Sequence, residues 1–79
     1  MSTKAVVLDA NILIRAVLGT KVRNLIIENA RTVRFFTPGV AYADARKYLP
    51  ALLEKRGIDS VAALRVLVGL VSRHARIVA

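Results

Sequence analysis

The chain has 79 residues and a mass of 8.6 kDa, enough for one small domain and no second core. Thirteen Lys and Arg against five Asp and Glu give a net charge of +8, while 56% of the residues are hydrophobic, which excludes a disordered basic tail. There is no cysteine, so disulfide frameworks and Cys-based zinc sites are excluded.

The first element is expected at residues 5–8, a Val-rich apolar run that reads as a buried strand with Asp9 at its C-terminal end. The run is too short for a signal peptide, and Arg15, Lys21 and Arg23 interrupt the apolar residues after it, so no membrane span is expected. A cytoplasmic location fits these features. Asn11 is a good capping residue, and Ile12 to Leu18 continue as a short helix that Gly19 stops. Thr20 is placed to cap a second helix over 21–30, with Val22, Leu25, Ile26 and Ala30 on one apolar face.

Residues 33–37 form the second expected strand, and Pro38-Gly39 a turn. A third helix comes next, with Val40, Ala41, Ala45, Tyr48, Leu49 and Leu52 inward and a kink or restart at Pro50. Arg56-Gly57 ends it. Asp59 or Ser60 caps a fourth helix whose inward residues are Val61, Leu64, Leu67, Val68 and Val71. Residues 75–79 read as a third strand. The alternation predicts an α/β fold, a parallel sheet of three strands with four crossover helices in three layers. So much apolar surface in so short a chain also predicts that further chain or a second copy covers an exposed face.

Ligands of open parallel sheets bind beyond the carboxyl ends of the strands. Asp9 is the acidic residue placed there, either capping the first helix or holding a cation. Asp44, early on the third helix, is expected at the same end of the sheet. If the two converge they repel unless a cation lies between them, and Mg²⁺ suits hard oxygen ligands and phosphate substrates. Asn11 either orients Asp9 or caps the helix. Thr37 either reaches the same cleft or caps the third helix. His74 is the single histidine, so a His-based triad is excluded, and a surface position is expected for it. Gly19-Thr20-Lys21 lacks the upstream glycine of a phosphate-binding loop. Tyr42 and Tyr48 are able to stack on a base, although helical spacing favours a core position for Tyr48. The positive charge points to a polyanion, with nucleic acid first.

The run Val7-Leu8-Asp9-Ala10-Asn11-Ile12-Leu13-Ile14, followed by Phe36-Thr37-Pro38, Asp44 and Leu49, resembles the PIN domain, the fold of VapC-type toxins from toxin–antitoxin pairs. The resemblance runs over essentially the whole chain. It implies a Mg²⁺- or Mn²⁺-dependent endoribonuclease, commonly dimeric, whose partners are RNA and an antitoxin that inserts into the cleft. Carried over, Asp9 is the first metal-binding acid, Asn11 its polar neighbour, Thr37 the hydroxyl position and Asp44 the second acid. The family's further acids lie beyond the last strand found here. Residues 1–79 therefore read as a partial PIN-like domain, expected to hold the metal weakly and to be inactive if nothing completes it. The alternatives are a non-catalytic basic nucleic-acid-binding module and an interaction protein that self-associates as a swapped or intertwined dimer.

Overall fold

A computed structural model describes residues 4–78, so the expected strand residue Ala79 lies outside the described residues. The elements follow in the order β1 (Lys4–Val7), α1 (Ala10–Leu18), α2 (Thr20–Glu28), β2 (Val33–Pro38), α3 (Gly39–Lys55), α4 (Ser60–His74) and β3 (Ala75–Val78). The three strands form one parallel sheet in the order β1-β2-β3, as the alternation of strands and helices predicts. Val6 pairs with Phe35, and Phe35 with Ala75, which places β2 between two edge strands.

Each helix starts and stops for a local reason. Asp9, in extended conformation, caps α1 by accepting the Ile12 N–H at 2.9 Å. Asn11 lies inside the first turn, so Asp9 takes the capping role that Asn11 was also suited to. Gly19 ends α1 by donating its N–H to the Arg15 carbonyl. Gly19 also stands at the N-cap of α2, and Thr20 is the first helical residue there rather than the cap. Asp59 caps α4 through the Val61 N–H. Helix α3 runs unbroken from Gly39 through Pro50 to Lys55, where a kink or restart was expected. Gly57, at φ 68°, then turns the chain through the left-handed region that favours glycine.

The core lies between the sheet and the helices. Leu13, Leu49, Leu53 and Leu67 are fully buried, and each contributes about 1.5–3 kcal/mol of burial free energy. The stripe that α3 buries is Ala41, Ala45, Leu49 and Leu53. Val40, Tyr48 and Leu52, expected inward, form the neighbouring stripe and are exposed, Val40 by 75%. Helix α4 buries Ala63, Leu67, Leu70 and Val71, so its inner face is rotated from the expected one and Val61 and Val68 are outside.

Along β2 the alternation sorts the two faces of the sheet. Phe35 and Thr37 are buried on the helix side, whereas Arg34 is exposed and Phe36 and Pro38 are half-buried on the other. All four residues of β1 are exposed, which corrects the expectation of a buried first strand. β1 is an edge strand, and Val7, 61% exposed, lies on the sheet face that no described helix covers. The three parallel strands and four helices agree with the α/β fold expected from the sequence.

Candidate functional site

The carboxyl ends of β1 and β2 lead directly into α1 and α3, so the residues at these two junctions share one end of the sheet. Asp9 occupies the first junction. It is exposed, and its Oδ1 is fixed by the Ile12 N–H. Asp44 lies five residues into α3, about 7 Å along the helix axis from its start, and is exposed beside the buried Ala41–Ala45 stripe. Asn11 is exposed on the first turn of α1.

Thr37 is placed differently from either role considered for it. Its side chain is fully buried, and its hydroxyl donates to the Leu8 carbonyl at 2.9 Å. Helix α3 receives no side-chain cap, so Thr37 does not serve that terminus. The hydroxyl instead ties the end of β2 to the backbone of the residue before Asp9. Thr37 thus reaches the carboxylate end of the sheet through the chain, not through its own exposed atoms.

Around Asp44 the outer face of α3 carries features that burial patterning had assigned to the core. Tyr48 is 52% exposed, with the Lys47 ammonium 5.6 Å from its ring centroid. Arg46 stands 5.7 Å over the Tyr42 ring. Each cation is held over an aromatic face by the ring quadrupole. An exposed Tyr48 offers a base-stacking surface one helical turn from Asp44, beside a cation able to meet a phosphate. The clue in the sequence was the Arg46-Lys47-Tyr48 run itself, since two adjacent cations leave little of that helix face for a core.

The donor chemistry suits a hard divalent cation. Asp9 and Asp44 offer carboxylate oxygens, one of the Asp9 pair is already oriented by a backbone N–H, and both side chains are open to solvent. Mg²⁺ keeps several waters and needs only one or two protein carboxylates. Among the described residues no group of three or more His, Cys, Asp and Glu is placed to enclose a metal, so any ion here is held by a sparse set.

A family model for the PIN domain matches residues 7–79, and the chain belongs to that family. The match begins at Val7, the last residue of β1, and takes in both strand-to-helix junctions. The family is one of nuclease-type proteins acting on nucleic acid, in general with divalent metal. No curated protein and no solved structure matches the chain. No helix among the described residues is long and apolar enough to cross a membrane.

Proposed function

We propose that this chain provides the catalytic end of a metal-dependent endoribonuclease of the VapC toxin type, with Asp9 and Asp44 as the acids that hold Mg²⁺ or Mn²⁺. The observation that carries the reading is the position of Asp9: exposed, capped onto α1, and at the carboxyl end of a parallel strand in a chain of the PIN family. When bound, a divalent ion there supplies charge stabilisation at the scissile phosphate and an activated water. The protein's own contributions are of three kinds. Asp9 presents its carboxylate in an orientation fixed by Ile12, and Thr37 holds the Leu8 backbone in place behind it. Asn11 is a neighbouring hydrogen-bonding group for the carboxylate or for substrate. Lys47 and Tyr48 flank the second acid and are suited to a phosphate and a base.

The same reading carries a cytoplasmic location, an antitoxin that covers the acids, and a homodimer formed through surface the single chain leaves open. The outer edges of β1 and β3, which no strand among the described residues pairs, support a further chain pairing there.

The test is cleavage of labelled single-stranded RNA. Cutting should require Mg²⁺ or Mn²⁺ and stop in EDTA. Loss of groups behind metal ligands costs about 10–100-fold, so Asp9→Asn, which removes a ligand, should cost at least that. Cutting that persists in EDTA, or that Asp9→Asn leaves unchanged, would refute the assignment.

A further inference from the structure

The end of the sheet opposite to Asp9 carries a second feature. A cleft of about 430 Å³ opens where β2 and β3 begin, lined among others by Arg34, Phe36, Arg73, His74 and Arg76, with no carboxylate among its lining residues. Arg73 and His74 occupy the last turn of α4, where the Arg73 charge and the His74 ring suit the helix's own carbonyl ends. That accounts for those two. It does not account for Arg34 and Arg76, which belong to strands.

Arg34 precedes Phe35, the partner of Ala75, and Arg76 pairs with Phe36. Both arginines therefore point to the uncovered face of the sheet, as diagonal neighbours on adjacent strands about 8 Å apart. Like charges so placed repel, and each displaces a β-branched or aromatic residue that a strand would favour. Phe36 adjoins both, directly across from Arg76 and two residues on from Arg34, half-buried on the same face with Val7 on its other side. An aromatic floor beside two guanidinium groups is the combination that binds single-stranded nucleic acid: arginine forks pair with phosphate oxygens, and a ring face accepts a base.

We propose that this cleft is a second nucleic-acid contact, in which Arg34 and Arg76 bind the phosphodiester backbone of a single-stranded RNA and Phe36 receives a base. The inference extends the nuclease reading by giving the same polyanion a contact on the uncovered face of the sheet, from Arg34 at the level of Ala5 to Phe36 and Arg76 at the level of Val7. Charge complementarity argues against a second copy of the chain as occupant, because a twofold contact on this face would bring arginines together.

Binding is measured by fluorescence anisotropy of a labelled 12-nucleotide RNA in EDTA, so that the outcome does not depend on metal or on Asp9. Arg34→Ala/Arg76→Ala should weaken binding at least 10-fold and reduce the slope of log K against log salt by about 1.4, two phosphate contacts' worth. Lys55→Ala/Arg56→Ala removes the same charge from the exposed end of α3 and should weaken binding less than twofold. If circular dichroism shows that the alanine pair fails to fold, Arg34→Gln/Arg76→Gln replaces it, with the same expected loss. Equal losses for the two pairs would overturn the proposal, because net charge alone would then account for binding. Displacement of the RNA by polyglutamate at equal or lower concentration would also overturn it, in favour of an acidic protein partner. Failure of RNA cleavage in Mg²⁺ with binding intact would count against the catalytic reading and leave this one standing.

Discussion

The Thr37 hydroxyl stands in for a backbone donor that Pro38 lacks. Leu8 donates its N–H to the Phe36 carbonyl, so the parallel register continues by pairing Leu8 with Thr37. In that ladder the Leu8 carbonyl would accept the N–H of residue 38. Residue 38 is proline and has none. The Thr37 Oγ1, 2.9 Å away and fully buried, satisfies the carbonyl instead. The sheet thereby stays paired up to the residue before Asp9.

Thr37→Val keeps the shape and removes the donor. The Leu8 carbonyl is then left without its partner, at an expected cost of about 1–3 kcal/mol. Urea denaturation reads this directly. Thr37→Ser, which keeps the hydroxyl, should lose less. In a Pro38→Ala background the restored N–H can take over, so the Thr37→Val penalty should shrink in a double-mutant cycle. An unchanged penalty would show that the hydroxyl does not substitute for the proline's missing donor.

Asp9 has two separable roles, one in the helix and one in chemistry. Asparagine is as good an N-cap as aspartate, so Asp9→Asn should leave the melting temperature nearly unchanged. Asp9→Ala should cost about 0.5–2 kcal/mol. RNA cleavage should be lost in both. If Asp9→Asn melts as early as Asp9→Ala, the cap seen at Ile12 contributes little.

The rotation of the helices makes a sharp contrast on α3. Leu49→Ala, at a fully buried position, should destabilise the chain by about 2–5 kcal/mol, a large part of the stability of a domain this size. Val40→Ala, one stripe away and mostly exposed, should change stability by less than about 0.5 kcal/mol. Chemical denaturation of the two variants side by side decides whether the inner stripe is the 41–45–49–53 row.

Gly57→Ala isolates a backbone effect. Nothing lies within 4 Å of a Cβ built there, so no steric clash contributes. The positive φ should still make alanine cost about 1 kcal/mol. A neutral result in denaturation would mean that the turn relaxes to another conformation.

The kinds and order of the elements were legible because their punctuation is chemical: Gly19, Pro38-Gly39, Gly57 and Asp59 each end or begin a segment by a mechanism a sequence displays. The facing of the helices was harder to read. On α3, Val40, Tyr48 and Leu52 make one apolar row and Ala41, Ala45, Leu49 and Leu53 the next. The 3.6-residue period admits both rows, and the signal that ranks them is Asp44, which interrupts the first row and marks it as the outer one. The row with two alanines and two leucines won, packed mainly against the neighbouring helices α1 and α4. The exposure of β1 followed from strand order, which local sequence does not encode. At the candidate site, Asp9 and its cap were readable from position alone. The burial of Thr37 was not, because its partner is a backbone carbonyl 29 residues away in sequence.

The central place of β2 has a consequence in time. Its second neighbour, β3, is made last among the described residues. At translation rates of about 5–20 residues per second, the roughly 40 residues from Pro38 to Val78 take several seconds to emerge. Until β3 exists, the flank of β2 from Phe35 to Pro38 has no strand to pair with. Any strand-forming segment present in that interval would compete with β3 for the same backbone groups.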